Sequence, residues 1–342
     1  MEIHWPLFVN ANIFQVGGFL LAAYSVVAND SLQTLGTYLS SNQGRTPKAL
    51  QMLFICGVGS AVLLTGWFLH PDGAGLGDPA WGRLDAFPLP GQFTWVYLLP
   101  PLAVLGLTQW GAPVSTSFLV LTAFVPGNSL KLLLNSLSGY VLAFALSIVL
   151  YGIGMWVLEQ RVLSSNQAGQ NTHKAWFVLQ WISTGWLWSQ WLVQDMANIF
   201  VFLPRQLDIV PMLICTLVLC AGLCVLVSTG GGPIQAVLRS KTNTSDLRSA
   251  TLIDLLFGLC LLYKAFLSSF PLSTTWVFLG LIGGRELALR LKQQTSEVVF
   301  TNREGGSLAK VVGADLWKAA VGVLVSVAIA LSIQPLAEIT AG

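Results

Sequence analysis

The sequence predicts an all-α polytopic integral membrane protein made of two inverted-topology repeats of about five membrane segments each. Three observations predict it. Hydrophobic residues make up 54% of the 342 residues and charged residues only 9%, whereas a soluble domain carries about a quarter charged residues. Apolar stretches recur at lengths near the roughly 20 residues that cross a hydrocarbon core as a helix, an element that satisfies its own backbone. Two short polar motifs occur once in each half of the chain, in the same order.

Taken in order, apolar segments fall at about 7–29, 49–69, 93–110, 114–129, 132–158, 175–200, 209–228, 249–269, 274–290 and 312–334. Five precede and five follow the polar stretch 159–174, whose Ser164-Ser165-Asn166-Gln167 reads as a solvated connection. The expected organisation is a first repeat over 1–158, a linker over 159–174 and a second repeat over 175–342. Counting alternate loops puts 13 of the 17 Lys and Arg on the face of Arg45, Lys48 and the linker, which the positive-inside tendency makes cytoplasmic. The loop with Asp72, Asp78 and Asp85 then lies outside. An odd number of segments per half starts the second half on the opposite face, so equivalent segments run antiparallel. Secondary transporters with this arrangement bind substrate near the midplane, between repeats, on broken helices or helical hairpins.

The first motif is Pro113-Val114-Ser115-Thr116-Ser117-Phe118, which recurs as Pro271-Leu272-Ser273-Thr274-Thr275-Trp276. Proline ahead of three hydroxyls suits a helix start, where it costs no hydrogen bond and a hydroxyl caps free N–H groups. Such a start favours an anion. Ser115, Thr116, Ser117, Ser273, Thr274 and Thr275 are therefore the candidate substrate-binding residues. One isolated Ser/Thr cluster in a membrane helix is more often packing, and recurrence in register reverses that preference.

The second motif is acidic. Asn29-Asp30 is followed by Gln33, and Gln194-Asp195 by Asn198. On a helix the i+3 amide shares a face with the aspartate, giving a hard, oxygen-rich set suited to a small cation. Asn29, Asp30, Gln33, Gln194, Asp195 and Asn198 are the candidate cation-binding residues, and carboxylates inside a membrane are functional candidates by default. A structural pair between Asp254 and Lys264 is excluded on one helix, since ten residues separate them by about 15 Å.

The two motifs in this order resemble those of the inorganic phosphate transporter (PiT) family, which includes related sulfate permeases. The resemblance runs through Ala28, Asn29, Asp30 and Gly36-Thr37, then Pro113 to Thr116, then Asp195, Ala197 and Asn198, then Pro271 and Ser273 to Thr275. Departures are Gln33 and Gln194 for asparagine, and Phe118 and Trp276 for histidine. The resemblance implies symport of an inorganic oxyanion, phosphate first and sulfate as the alternative, coupled to sodium or in some members to protons. The aspartates and amides would hold sodium and the hydroxyls the oxyanion. An anion channel or a transport-inactive scaffold would keep the same residues. Expected partners are the anion and membrane lipid, in the inner or plasma membrane of a cell, and the assembly, a homodimer included, is left open.

Other chemistry finds no support. A net charge of +2 leaves no footprint for nucleic acid. No base, nucleophile and orienting group occur together, so an enzyme is not expected. The five cysteines lie in apolar runs without paired spacing, and scattered His4, His70 and His173 point to no transition metal or cofactor.

Overall fold

The computed structural model describes residues 12–73, 75–112, 114–152, 170–230, 247–267, 273–295 and 308–341. Among them the chain is helical, and its extended pairings are two isolated bridges, Pro71 with Gly77 and Gly77 with Leu207. The first half holds α1 (Ile13–Val26), a π-helical turn (Val27–Ser31), α2 (Leu32–Ser41), α3 (Lys48–Leu69), α4 (Leu99–Gln109), α5 (Thr116–Leu121) and α6 (Ser129–Leu150). The second holds α7 (Gln170–Asp195), α8 (Ala197–Phe200), α9 (Ile209–Ser228), α10 (Leu247–Leu267), α11 (Thr274–Thr295) and α12 (Leu308–Ala341). Both halves thus run through a broken helix, a long apolar helix, two helices joined at a hydroxyl motif, and another long helix.

Four of the described helical stretches, Ile13–Ser31, Lys48–Leu69, Ser129–Leu150 and Ile209–Ser228, are long and apolar enough to cross a membrane. This is an integral membrane protein. Their outward surfaces keep large apolar side chains such as Leu53, Phe68, Leu130 and Leu217 exposed, as lipid contact requires.

Two sequence expectations change. The stretch 114–129 does not form a membrane-length helix: α5 is six residues long, and a 3₁₀ turn at Pro126–Asn128 ends the segment. The Phe124 ring that follows α5 lies 5.4 Å from Tyr97, at the beginning of the 3₁₀ turn leading into α4. So α4 and α5 form a hairpin that returns to the side it came from. Arg285 of α11 likewise donates to Ser249 of α10 at 2.7 Å, which makes α10 and α11 a second, longer hairpin. The first predicted segment also continues past residue 29, because the chain stays helical to Ser41. The turn at Val27–Ser31 is tolerated inside the apolar core because Ser31 donates to the Val27 carbonyl and Thr34 to that of Asp30 at 3.1 Å.

The second hairpin is held against α6 by small residues. A Cβ built at Gly280 would lie 2.4 Å from the Tyr140 carbonyl oxygen, and one at Gly284 would lie 2.4 Å from that of Phe144. Glycine at this four-residue spacing lets two backbones touch, and Ser147 uses the approach to donate to the Leu281 carbonyl at 2.8 Å. Replacing Gly280 or Gly284 by alanine should destabilise the detergent-purified protein by about 1–3 kcal/mol through overpacking. Thermal denaturation checks this, and a wild-type melting temperature in both variants would contradict the close approach.

Candidate functional site

The breaks in α1/α2 and α7/α8 and the starts of α5 and α11 meet at one place. Asp30 and Asp195, both fully buried, sit there. Asp30 accepts hydrogen bonds from Thr116 Oγ1, from Thr275 Oγ1 at 3.2 Å and from Asn29 Nδ2 at 2.6 Å. Asp195 accepts from Thr274 Oγ1 at 2.5 Å, from Ser117 Oγ at 3.1 Å and from Asn198 Nδ2 at 3.1 Å. Each carboxylate therefore takes one hydroxyl from its own half and one from the other. The positions exchange in register: Thr116 and Thr274 serve the aspartate of their own half, Ser117 and Thr275 the aspartate of the opposite half.

Ser115 and Ser273 do a different job. Each is the N-cap of its helix, Ser115 Oγ accepting from the Phe118 N–H at 3.2 Å and Ser273 Oγ from the Trp276 N–H at 3.3 Å. They orient the two hydroxyls that follow. Pro113 and Pro271, expected one turn ahead of these hydroxyls, lie outside the described residues. The Val114 carbonyl ties the halves together by accepting from Asn29 Nδ2 at 2.9 Å and Thr275 Oγ1 at 2.8 Å.

The amides complete the cluster. Asn198 Nδ2 also reaches Thr116 Oγ1 at 3.2 Å and Ser117 Oγ at 3.1 Å. Their oxygens are another matter: Asn29 Oδ1, Gln33 Oε1, Gln194 Oε1 and Asn198 Oδ1 are buried and find no hydrogen-bond partner among the described residues. A buried amide oxygen left unpaired costs about 1–3 kcal/mol, and amide and carboxylate oxygens are the donor type that hard cations take. No group of three or more His, Cys, Asp or Glu among the described residues is arranged to hold a metal ion. All twelve residues singled out from the sequence are buried. Both ends of the Gln33 amide find no hydrogen-bond partner among the described residues.

A third carboxylate, weighed from the sequence only as a partner for Lys264, is held by neutral donors. Asp254, fully buried on α10, accepts from Thr37 Oγ1 at 2.5 Å, Thr184 Oγ1 at 2.6 Å and Gln180 Nε2 at 3.0 Å. Lys264, on the same helix, instead donates to Ser138 Oγ at 2.8 Å. The signal was present, since an aspartate in an apolar run with no basic residue within reach on its own helix must be served by neutral donors from elsewhere.

Neither a protein-family model nor a curated protein matches the chain. A solved structure does, that of the sodium-dependent phosphate transporter, with a TM-score of 0.60 and 15% identity over 94% of this chain and 96% of that one. The two share a fold. The all-helical architecture expected from the sequence holds among the described residues.

The Asp254 cluster yields a direct test. Asp254→Leu strands three buried donors, each costing about 1–3 kcal/mol, and should lower the melting temperature well beyond the effect of Thr184→Val, which removes one donor and leaves two. Equal effects of the two variants would show that Asp254 does not hold the cluster together.

Proposed function

We propose that the protein is a secondary active transporter that carries an inorganic oxyanion, phosphate first, in symport with sodium by alternating access. The observation that supports it is the crossed set of hydroxyls on Asp30 and Asp195, ringed by unpaired amide oxygens. Its physical logic is charge compensation. Two carboxylates in a low-dielectric interior repel an anion strongly. Sodium held by the carboxylates and by the amide oxygens of Asn29, Gln33, Gln194 and Asn198 removes that repulsion. It also changes what the hydroxyls do, because a carboxylate engaged by a cation no longer needs their protons. Thr116, Ser117, Thr274 and Thr275 then turn their O–H groups to the oxyanion, and the helix starts that carry them favour negative charge. Anion binding follows cation binding, and neither moves alone.

The exchange of donors between halves also supports two inverted repeats, 1–158 and 175–342, about an axis through the site, with the linker 159–174 on the cytoplasmic face. In that arrangement the α4–α5 hairpin enters from one side of the membrane and the α10–α11 hairpin from the other, so a rocking motion opens the site to one side at a time. The fold shared with a sodium-dependent phosphate transporter agrees with this chemistry. The site acts by binding alone, without an enzymatic step, and the protein belongs in the cell's inner or plasma membrane.

Purified protein in liposomes with labelled phosphate or sulfate, with and without an inward sodium gradient, tests the proposal. Gradient-driven uptake is expected, and Asp30→Asn or Asp195→Asn should each reduce it to the level of empty liposomes while leaving the protein monodisperse. Wild-type rates in both variants, or uptake indifferent to sodium, would overturn the assignment.

A further inference from the structure

The long apolar helices that follow the broken helix in each half, α3 and α9, lie antiparallel along one seam. Lys48 Nζ at the start of α3 donates to the Ser228 carbonyl at the end of α9 at 2.8 Å, and Trp67 Nε1 near the end of α3 donates to the Leu207 carbonyl just ahead of α9 at 2.7 Å. Between those two ties the seam is lined with sulfur. Cys56 Sγ lies 3.8 Å from Cys224 Sγ and 3.7 Å from the Cys220 carbonyl, and one turn further along α3 Ser60 Oγ lies 3.5 Å from Cys220 Sγ. Spacing along the chain hides this meeting, because 168 residues separate Cys56 from Cys224. All three cysteines are free thiols.

Exposure and position set these thiols apart from packing residues. Cys56, Cys220 and Cys224 are half-buried, whereas Cys215 and Cys260 are buried in the core. Leu53, Gly57, Leu217, Ala221 and Val225 beside them on the same two helices are exposed, so in a membrane the seam opens to lipid. The helix behind the seam also backs the candidate site. A Cβ built at Gly222, midway between Cys220 and Cys224, would lie 3.9 Å from Val27 Cγ1, and Val27 begins the π-helical turn that carries Asp30. α9 is therefore held between α3 on its cysteine face and the Asp30 turn on the other.

We infer that Cys56 and Cys224 form an oxidation site, a dithiol that a lipid-soluble organic hydroperoxide converts to a disulfide joining the two halves of the chain. A thiol oxidised by a peroxide becomes a sulfenic acid, which condenses with a neighbouring thiol. Cys56 Sγ takes the terminal hydroxyl of the hydroperoxide as the O–O bond breaks, and the alcohol leaves with the proton of the thiol. Cys224 Sγ then displaces that hydroxyl, the S–S bond forms, and water leaves with the Cys224 proton. Two thiols are oxidised to one disulfide and one hydroperoxide is reduced to one alcohol and one water. The sulfurs, already in contact, close to a bond length of about 2 Å. The bond fixes α9 against α3 and so locks the wall behind the Asp30 turn, while Cys220 stays reduced beside Ser60.

Purified protein treated with tert-butyl hydroperoxide, denatured and labelled with a maleimide tests this. The reduced chain carries five thiols, and the oxidised chain should carry three and return to five with dithiothreitol. Mass spectrometry of the oxidised digest should link the Cys56 and Cys224 peptides. Cys56→Ser and Cys224→Ser should each keep all their labels through the treatment. A disulfide stabilises mainly by constraining the unfolded chain, so the oxidised wild type should melt above the reduced, with no such shift in either variant. An undiminished label count in the wild type, a loss of labels in either variant, or a dimer on a non-reducing gel in place of the internal link overturns the oxidation site. An unchanged melting temperature in protein that carries the link overturns the lock. Each measurement is made without a transported ion, so its outcome is separate from that of the transport reading.

Discussion

Two carboxylates buried side by side in an apolar protein are the constraint that the other features answer. A lone ionised carboxylate in such surroundings is among the costliest groups a chain can bury. Asp30 and Asp195 are made tolerable by hydroxyls and amides drawn from four separate places in the sequence. Satisfying them requires that helices stop or break at the same depth, since only an interrupted helix presents free backbone groups and unencumbered side chains together. The π-helical turn at Val27–Ser31, the break at Met196 and the N-caps Ser115 and Ser273 are local solutions to that one demand.

Those interruptions need support from packing, because two helices that end at a buried polar centre do not fix their own position. The α10–α11 hairpin gains it from Gly280 and Gly284 pressed on the α6 backbone and from Arg285 lying over the Tyr151 ring, 5.2 Å from its centroid. The shorter α4–α5 hairpin is held by a cluster of Phe93, Tyr97, Phe124 and Phe202 rings. One hairpin is fastened by backbone proximity and the other by aromatic mass. The halves are thus alike in order of elements and in their polar centre, and unlike in the apolar residues that brace them.

Phe118 and Trp276 illustrate this division. Their backbone N–H groups are used identically, each donating to the capping serine three residues earlier. Their rings go different ways: Phe118 is fully buried in the core, while Trp276 is partly exposed and meets Tyr140 edge-on at 5.9 Å. The same helix start thus carries a buried phenylalanine in one half and a partly exposed tryptophan in the other.

The sequence by itself determined the solvent of this protein, the approximate position of its helices and the chemistry of its centre. Length and hydropathy are local properties, and a motif that recurs with the same proline, hydroxyls and aspartate announces a shared role without coordinates. Which of the ten apolar stretches cross and which turn back was not legible, because a six-residue helix and a membrane-length one are equally apolar along 114–129. Nor was it legible that Ser115 and Ser273 cap while their neighbours reach the carboxylates, since that depends on which way the first turn of each helix faces. The tertiary structure alone decided that Ser117 serves Asp195 and Thr275 serves Asp30, that Asp254 is held by Thr37, Gln180 and Thr184, and that Arg205 holds the Phe87 carbonyl. Each of these joins residues tens to hundreds of positions apart, and a sequence carries no distance between residues that meet only when the chain has folded.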